Sequence, residues 1–318
     1  IGAVNLIVNK NGALYGYNTD YYGAKRMIER ADIQVKGKKA LILGSGGTKK
    51  TLYAVLSDLG AKEILIVSRK KSDDTITYEE ATYLHNDAEI IANATPVGML
   101  PSIDDMPIDP DCFKNLSGVI DVIYNPLTTR LIESVQARGI PRTNGLYMLA
   151  AQAVRAYSLV KDIPTNESLC ESVYVKTLRE KRNVVLIGMP SSGKTEIGKR
   201  IAEKTGRIFI DTDFLTQRRT GKCPAAFIKE YGEAAFRAEE AISVKEAAAK
   251  TGCVIATGGG IINVSENIRF LKKNGKIFFL DRPLSLLSAD ENHPLSETRA
   301  ALERLYEKRL PLYLSAAD

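Results

Sequence analysis

The residues from Gly188 to Thr195 read G-M-P-S-S-G-K-T, and no other stretch constrains the fold of this chain as strongly. The spacing G-x-x-x-x-G-K-[ST] is typical of a loop whose backbone N–H groups and lysine bind phosphate. Apolar residues 183–187 predict a strand before the loop, and residues 196–204 predict a helix after it. Because strand, loop and helix follow in this order, we predict a nucleotide-phosphate site on a parallel sheet. The simpler alternative is a glycine-rich turn with a lysine in solvent.

The same loop indicates which residues would contact ATP. The lysine of such a loop reaches the β- and γ-phosphates and the following hydroxyl ligates Mg²⁺, so Lys194 is a candidate catalytic residue and Thr195 a candidate metal ligand. The residues predicted to bind ATP are Gly188, Ser191, Ser192, Gly193, Lys194 and Thr195.

Length and composition favour a two-domain protein that binds small anions. The 318 residues correspond to two domains of ordinary size, and the net charge of +6 suits anionic small molecules. The lysines and arginines are dispersed, so we expect no nucleic-acid partner. The four cysteines are far apart and form no C-x-x-C pair, which argues against disulfides and zinc and favours a reducing cytoplasm. No apolar run approaches the roughly 20 residues that span a bilayer, so we expect no membrane segment.

Two series of alternating strands and helices divide the chain. The predicted strands lie at 40–43, 63–67, 90–94 and 118–123 in the first series and at 183–187, 207–210, 254–257 and 276–280 in the second. This alternation predicts an α/β fold with parallel sheets. We predict a Rossmann-like domain over 1–162, a linker over 163–182 that can include a short helix, and a three-layer α/β/α P-loop domain over 183–318. Both ends look cut, since residues 3–8 already read as a strand.

A second glycine-rich turn, L-I-L-G-S-G-G-T at 41–48, lies between a predicted strand and helix of the first domain. It is a variant of the dinucleotide-binding pattern with Lys49 at the position of the third glycine. The next strand ends in S-R-K-K at 68–71, where a site for NAD would carry Asp or Glu. These basic residues favour the 2′-phosphate of NADP. A plain turn and a solvated strand end are the alternatives.

Several stretches of the first domain resemble shikimate dehydrogenase in order and spacing. They are G-A-V-N at 2–5, G-Y-N-T-D at 16–20, N-A-T-P-V-G-M at 93–99, Y-N-P at 124–126 and G-L-Y-M-L-A-A-Q at 145–152. The resemblance is to the C-terminal part of that family and covers residues 1 to about 160. It implies reduction of 3-dehydroshikimate to shikimate with NADPH.

This resemblance assigns roles to individual residues. Asp20 takes the position of the catalytic aspartate, which works with a lysine, while Asn5 and Gln152 take substrate-binding positions. A carboxylate paired with a lysine can relay the proton that ketone reduction needs. Taken alone, Asp20 could equally cap a helix. The residues expected to bind NADP(H) are Gly44, Ser45, Gly46, Gly47, Ser68, Arg69, Lys70, Asn93, Thr95 and Met148.

Two departures from that family lower the expected activity of the first domain. Tyr21 stands where the family usually has glycine, next to the catalytic aspartate. The family's N-terminal substrate domain, which carries the Ser-x-Ser contacts and the catalytic lysine, is mostly unmatched by this sequence. We therefore expect the 318 residues by themselves to bind NADP(H) weakly and not to reduce 3-dehydroshikimate.

The second domain resembles shikimate kinase, of the nucleoside-monophosphate-kinase-like group, over residues 183–318. The features that carry this resemblance, besides the phosphate loop, are F-I-D-T-D at 209–213, F-R-A-E-E at 236–240, T-G-G-G at 257–260 and L-Y-E-K-R-L-P-L-Y at 305–313. It implies ATP-dependent phosphorylation of shikimate to shikimate 3-phosphate. Asp211 would then hold Mg²⁺, and Asp213 would be the catalytic residue that orients or deprotonates the acceptor hydroxyl.

The acceptor would be bound by a small set of charged residues and glycines. Guanidinium matches a carboxylate in a two-pronged geometry, which suits the two arginines of this set. Glu240, one helical turn from Arg237, could hold it in place. The residues expected to bind shikimate are Asp213, Arg237, Gly258, Gly259, Gly260 and Arg309. The alternatives are a helix cap for the aspartates, a surface ion pair for Arg237, a plain turn for the glycines and a solvated charge for Arg309.

Two further features concern the rate and stability of the kinase. His293 stands where the family usually has a lid arginine, and a neutral imidazole would neutralise the transferring phosphoryl group less. The family also continues past the end of this sequence with a strand and a helix, so we expect an unpaired sheet edge and some loss of stability.

The two resemblances together predict a bifunctional enzyme of consecutive steps, whose partners are shikimate, 3-dehydroshikimate, ATP and NADPH. One alternative is a nucleotide-binding scaffold without turnover. Another is a different small-molecule P-loop kinase, such as one acting on gluconate. The sequence predicts no oligomeric state.

Overall fold

The computed structural model of the chain describes residues 2–287 and 298–318. The chain divides into two compact units, Ile1–Leu178 and Arg179–Asp318. We call them the N-terminal unit and the C-terminal unit.

The N-terminal unit is built on a five-stranded sheet. The strands of the whole unit are β1 (Leu6–Lys10), β2 (Ala13–Tyr17), β3 (Lys39–Leu43), β4 (Glu63–Val67), β5 (Ile90–Asn93), β6 (Gly118–Asp121) and β7 (Arg142–Thr143), of which β3 to β7 form the five-stranded sheet. Its helices are α1 (Thr19–Arg30), α2 (Gly47–Asp58), α3 (Tyr78–Leu84), α4 (Arg130–Ser134), α5 (Leu146–Lys161) and α6 (Glu167–Lys181), with a short 3₁₀ turn at Pro110–Cys112. Strands β1 and β2 form a separate antiparallel hairpin.

The order of the main sheet is β4-β3-β5-β6-β7, and all of its strands are parallel. Strand β3 is apolar throughout its last four residues and buried on both faces, because helices cover the sheet on each side. One core packs α1, α2 and α5 on the sheet, and the other packs α3 and α4 on it. The predicted Rossmann-like parallel fold is confirmed, and it gathers the carboxyl ends of β3, β4 and β5 at one edge of the sheet.

Most of the predicted linker, residues 163–182, forms helix α6. Two nitrogens of Arg30 donate to the carboxylate of Glu171, and its guanidinium stacks 4.4 Å from the ring centroid of Tyr174. These contacts fasten α6 to α1, so this segment is ordered by tertiary contacts rather than by its own weak periodicity. The division between the two units falls within this helix.

The C-terminal unit has a four-stranded parallel sheet in the order β11-β8-β10-β9. Its strands are β8 (Asn183–Ile187), β9 (Ile208–Asp211), β10 (Cys253–Ala256) and β11 (Gly275–Phe279). Its helices are α7 (Lys194–Thr205), α8 (Thr212–Thr220), α9 (Pro224–Tyr231), α10 (Glu233–Ala249), α11 (Ser265–Asn274) and α12 (Arg299–Ala316), with 3₁₀ turns at Ile261–Asn263 and Leu284–Leu286. The loop from Gly188 to Gly193 therefore leaves a central strand and enters a helix, as the sequence predicts.

The four cysteines are free thiols, of which Cys112 and Cys223 are exposed and Cys170 and Cys253 are buried. Within residues 2–287 and 298–318, no three His, Cys, Asp or Glu side chains come together as a metal-binding group. In the same part of the chain, none of the helices combines the length and the apolar character needed to cross a membrane.

Candidate functional site

The phosphate loop of the C-terminal unit takes backbone conformations that suit glycine. The φ angles of Gly188 and Gly193 are +154° and +90°, and the φ angle of Ser191 is +60°. Gly193 caps α7, so the first N–H groups of that helix face the loop. The loop thus presents backbone donors and the positive end of a helix dipole at the edge of the sheet, an arrangement that binds phosphate.

Lys194 is buried, with only 8% of its surface exposed. Its Nζ donates to the carbonyl oxygens of Gly188 (3.0 Å) and Met189 (2.7 Å). Burial lowers the pKa of Lys194 to about 8, although the carboxylates of Asp213 and Asp211 oppose this change. At neutral pH the ammonium is still mostly charged and lies inside the loop. The alternative of a lysine in solvent is therefore wrong.

Asp211 serves two purposes at the end of β9. Its Oδ1 accepts hydrogen bonds from the backbone N–H groups of Asp213 (3.0 Å) and Phe214 (3.3 Å), which caps α8. Its Oδ2 accepts from the hydroxyl of Thr195 (2.9 Å). The helix-cap alternative thus holds for one oxygen, while the other lies beside Thr195. Two oxygen donors at this separation fit Mg²⁺, which takes one or two protein oxygens and completes its shell with water and phosphate.

Asp213 lies on the first turn of α8, above the first glycine of the run Gly258–Gly260, which we call the glycine floor. Burial raises the pKa of the Asp213 carboxyl to about 6, and the nearby carboxylates of Asp211 and Glu240 add to this effect. A Cβ on Gly258 would collide with Oδ1 of Asp213. Glycine at this position therefore lets a carboxylate with a raised pKa lie directly on the backbone, where it can accept a proton at neutral pH.

Arg237 is partly buried and pairs with a buried carboxylate, that of Glu240, rather than with one at the surface. Its Nη1 donates to both carboxylate oxygens of Glu240 (3.0 and 2.9 Å), and its Nη2 donates to Glu233 (3.0 Å). Glu240 is 1% exposed, and its burial raises its pKa while Arg237 opposes that change. The pair fixes the guanidinium against the last glycine of the floor, since a Cβ on Gly260 would collide with both of its terminal nitrogens.

Arg309, on α12, completes the group of charges and is only 3% exposed. Burial lowers its pKa, and the positive charge of Arg237 acts in the same direction. The hydroxyl of Tyr313, one turn further along the helix, donates to the carbonyl oxygen of Gly259 (2.5 Å). Arg309 is therefore not a solvated charge. Sequence reasoning missed Tyr313, although its position four residues after Arg309 could have placed it on the same helix face.

These residues form one site around the end of the parallel sheet. The pKa of Lys194 responds to the charge of Arg309, and the pKa of Arg309 responds to Glu240, so the phosphate loop and the arginine pair share one electrostatic environment. Arg237, which pairs with Glu233 and Glu240, and the buried Arg309 place two guanidiniums in this environment. Two neighbouring guanidiniums suit the carboxylate of a small molecule. His293, predicted to belong to a lid, lies outside the described residues.

The glycine-rich turn of the N-terminal unit connects β3 to α2. Gly44 has a φ of +104°, and a Cβ there would lie 2.8 Å from the methyl carbon of Thr95. Ser45 follows it, and Gly46 caps α2, where a Cβ on Gly46 or Gly47 would meet no atom within 4 Å. The open side of the turn and the helix N-terminus fit the pyrophosphate of a dinucleotide.

The predicted 2′-phosphate contacts lie at the end of β4. Arg69 and Lys70 are exposed, and Ser68 is half-buried with its backbone N–H bonded to the carbonyl oxygen of Ile76 (2.8 Å). Parallel strands β3 and β4 are paired up to Leu43 and Val67, so both loops leave the same edge of the sheet. This donor set fits NADP, because the exposed cations are available to a phosphate.

Asn5, Asp20 and Gln152 are brought together around the start of α1. Thr19 donates its backbone N–H to Oδ1 of Asn5 (2.8 Å) and its hydroxyl to Oε1 of Gln152 (3.1 Å). Burial raises the pKa of Asp20, while a hydrogen bond with Asn5 opposes this change. The cap of α1 is Asn18, whose side chain accepts from the backbone N–H of Tyr21. The cap alternative for Asp20 is therefore wrong, and the buried Thr19 is the organising residue that the sequence did not single out.

Tyr21 and Met148 lie at the edges of this group. The hydroxyl of Tyr21 donates to Oδ2 of Asp58 (2.5 Å), at the end of α2, so its ring is held by that helix. Met148 lies on α5, whose backbone approaches α1 so closely that a Cβ on Gly23 would lie 2.6 Å from the carbonyl oxygen of Met148. Helices α1 and α5 thus carry the candidate substrate residues on a tightly packed pair.

Asn93 is held by a buried carboxylate that sequence reasoning did not identify. Its Nδ2 donates to Oδ1 of Asp121 (3.1 Å), and its own Oδ1 accepts from the backbone N–H (3.0 Å) and hydroxyl (2.7 Å) of Thr95. Asp121 also accepts from the backbone N–H of Ile123 (3.0 Å) and the hydroxyl of Thr129 (2.6 Å). This network fixes the predicted nicotinamide loop, because one carboxylate ties together the ends of β5 and β6.

The N-terminal unit has relatives among characterised proteins. Over 184 residues the chain is 35% identical to the shikimate dehydrogenase (NADP(+)) of Clostridium perfringens strain SM101, which covers 55% of this chain and 68% of that protein. The chain belongs to the shikimate dehydrogenase family. A crystal structure of a chorismate mutase/shikimate 5-dehydrogenase fusion protein from Clostridium acetobutylicum is 30% identical, covers 55% of this chain and 67% of that one, and superposes with a TM-score of 0.52.

The C-terminal unit matches a different family. Residues 190–318 match the family model of shikimate kinase. A structure of shikimate kinase from Acinetobacter baumannii in complex with shikimate is 34% identical, covers 45% of this chain and 83% of that one, and has a TM-score of 0.43. The similarity to shikimate dehydrogenase lies in the N-terminal part of this chain, and the segment that matches the shikimate kinase model follows it. The assignment of residues 1 to about 160 to the C-terminal part of the dehydrogenase stays a prediction.

Asp121 gives the N-terminal unit a predicted dependence of stability on pH. Burial raises the pKa of its carboxyl to about 6, whereas an aspartate in an unfolded chain has a pKa of about 4. Its contribution to stability is therefore greatest below about pH 4 and is lost as the pH rises through about 6, by about 3 kcal/mol in total. We expect Asp121→Asn to remove this dependence, so that the native chain loses hydrogen-exchange protection in β5 and β6, relative to the variant, between about pH 4 and 7.

The control for this comparison is Asp73→Asn, which changes an exposed aspartate of the same unit. Its difference from the native chain should stay flat across the same pH range. A difference between the native chain and Asp121→Asn that does not change with pH would contradict the assignment.

Proposed function

We propose that this chain is a bifunctional enzyme of shikimate metabolism. Its C-terminal unit transfers a phosphoryl group from ATP to shikimate. Its N-terminal unit carries the NADP(H) site and the aspartate for the reduction of 3-dehydroshikimate to shikimate, a reaction that also needs a lysine not among the residues assigned here. The observation that carries the first assignment is that Asp213 and Arg237 lie against the glycine floor, to which Tyr313, on the same helix as Arg309, is also hydrogen-bonded. The match of residues 190–318 to shikimate kinase and the dehydrogenase relatives support the pairing of these two reactions.

Binding of the acceptor follows from the charges of the site. Arg237 and Arg309 would bind the carboxylate of shikimate, since each offers two parallel N–H donors. Arg237 is already oriented by Glu240 (2.9 Å) and Glu233 (3.0 Å). The glycine floor lets Asp213 and Arg237 lie directly against the backbone, because a Cβ at Gly258 or Gly260 would collide with these side chains.

Asp213 would accept the proton of the acceptor hydroxyl. The oxygen of that hydroxyl forms a bond to the γ-phosphorus of ATP while the bond from that phosphorus to the β–γ bridging oxygen breaks, and ADP leaves. A carboxylate whose pKa is raised to about 6 is a stronger base than an ordinary aspartate and is still ionised at neutral pH. Lys194 would neutralise the phosphate oxygens. Mg²⁺, held by Thr195 and Asp211, would supply further positive charge to the phosphates.

In the N-terminal unit, Asp20 would hold the proton that the carbonyl oxygen of the substrate takes up on reduction. Asn5 and Gln152, which are both hydrogen-bonded to Thr19, would orient the ring of the substrate. The unit would bind the pyrophosphate of the cofactor at Gly44–Gly47 and its 2′-phosphate at Arg69 and Lys70. When bound, NADPH would supply the hydride. The buried network of Asn93 and Asp121 would keep the loop on the nicotinamide side fixed.

Two other functions remain as candidates for the kinase unit. A scaffold without turnover would not need a buried lysine with a lowered pKa or an aspartate with a raised one, since perturbed pKa values of this kind cluster at functional sites. A P-loop kinase for gluconate would also bind a carboxylate. The match of residues 190–318 to shikimate kinase favours shikimate as the acceptor.

The purified chain should phosphorylate shikimate when supplied with ATP and Mg²⁺, measured as ADP release and as formation of shikimate 3-phosphate. Lys194→Met should lower kcat by about 100-fold or more, because it removes the cation at the transferring phosphoryl group. Lys199→Met, at an exposed lysine of the same helix, is the matched control and should leave kcat unchanged within about twofold. Phosphorylation of gluconate but not shikimate would exclude the proposed acceptor, and a folded chain that phosphorylates neither would favour the scaffold.

The cofactor of the N-terminal unit can be tested by equilibrium binding. NADPH should bind at least about tenfold more tightly than NADH, since a charge-assisted hydrogen bond contributes about 1.5–3 kcal/mol. Arg69→Ala should abolish most of this preference by removing a cation at the carboxyl end of β4. Lys62→Ala, which removes an exposed cation before the same strand, should preserve it. Equal affinities of the native chain for the two cofactors would rule out the 2′-phosphate site.

A further inference from the structure

Arg282 lies where the chain leaves β11 and passes the phosphate loop. The backbone N–H of Leu280 donates to the carbonyl oxygen of Ile187 (2.8 Å), so the pairing of β11 with β8 continues to the residue before Gly188. A Cβ on Gly188 would lie 2.8 Å from the carbonyl oxygen of Leu280. The segment that carries Arg282 is therefore in direct contact with the start of the loop.

The guanidinium of Arg282 is attached to the middle of the same loop. Its Nη1 donates to the carbonyl oxygen of Ser191 (3.2 Å), a residue whose φ of +60° places it at the bend of the loop. The side chain is exposed, so it lies at the mouth of the loop rather than in the core. A guanidinium has five N–H donors, and this hydrogen bond uses one of them.

The charges around the phosphate loop indicate what such a guanidinium could do. Lys194 is the cation that the loop itself supplies, and its Nζ donates to the carbonyl oxygens of Gly188 (3.0 Å) and Met189 (2.7 Å). Arg237 is paired with Glu233 and Glu240, on the acceptor side of the site. Phosphoryl transfer spreads negative charge over the phosphate oxygens, which favours an additional cation close to the loop. A guanidinium suits this role because it stays charged at any pH at which the protein is folded.

We infer that Arg282 is a phosphate-binding residue of the kinase unit, which contacts the β- and γ-phosphates of the bound nucleoside triphosphate and stabilises their charge during transfer. The inference rests on the proposed function of this unit. The competing interpretation is that Arg282 only braces the backbone of the loop through Ser191.

The test compares Arg282→Ala, Arg282→Gln and Arg282→Lys with the native chain. Arg282→Ala and Arg282→Gln should lower kcat for shikimate and weaken ADP binding, each by at least about tenfold, because one charge-assisted contact is lost. The affinity for AMP, which lacks the β- and γ-phosphates, should change by less than about twofold. Arg282→Lys should recover part of the loss, since it restores the charge without the planar fork.

Arg299→Ala provides the matched control. The Nη1 of Arg299 also donates to backbone carbonyl oxygens, those of Leu284 (2.9 Å) and Leu287 (3.3 Å), but not to the phosphate loop. Its removal should leave ADP affinity and kcat within about twofold of the native values. Thermal unfolding of each variant shows whether the fold is retained.

Two results would overturn the inference. A lower melting temperature in Arg282→Ala with unchanged kcat and ADP affinity would leave only the bracing role. An equal loss of ADP and AMP affinity in Arg282→Gln would indicate a general disturbance of the nucleotide site. ADP and AMP binding need no acceptor, so a native chain that binds ADP but does not phosphorylate shikimate would contradict the proposed function and still allow the test of Arg282.

Discussion

The ion pair between Arg237 and the buried Glu240 is the interaction on which the acceptor site depends. Glu240 is 1% exposed, and its two oxygens accept from a single guanidinium nitrogen of Arg237, so removal of Arg237 would leave a buried carboxylate without its partner. The guanidinium of Arg309 is buried, and both its burial and the positive charge of Arg237 lower its pKa. An anion bound near the two arginines would offset the repulsion between their charges, which suits the site to a carboxylated molecule.

In both units the candidate site lies at a glycine-rich loop between a strand and a helix. In each, a strand in the interior of a parallel sheet ends in glycines and the chain turns at once into a helix, so N–H groups and the helix dipole face the ligand. The glycines also allow close approach: Gly44 lies against Thr95, and Gly260 lies against Arg237. The side chains that give each site its chemistry come from the neighbouring strands and helices.

The elements with strong local signals could be predicted from the sequence, and those that depend on tertiary contacts could not. Strands β3 and β8 are largely apolar runs, and their glycine loops follow directly, so the sequence alone was enough to predict the parallel-sheet fold and the phosphate loop. The residues 163–182 read as a linker because α6 gains its order from Arg30, which is far away in sequence. The role of Asp121 was equally hidden, because its partners Asn93 and Thr129 meet it only in the folded unit.

Calorimetric titration of the intact chain tests whether Arg237 and Arg309 bind the carboxylate of shikimate. Shikimate and its uncharged carboxamide have the same ring and hydroxyls and differ only in the group proposed to face the arginines. The carboxamide should bind at least about tenfold more weakly, since charge-assisted pairing contributes about 1.5–3 kcal/mol. Equal affinities for the two compounds would contradict this role of the arginines.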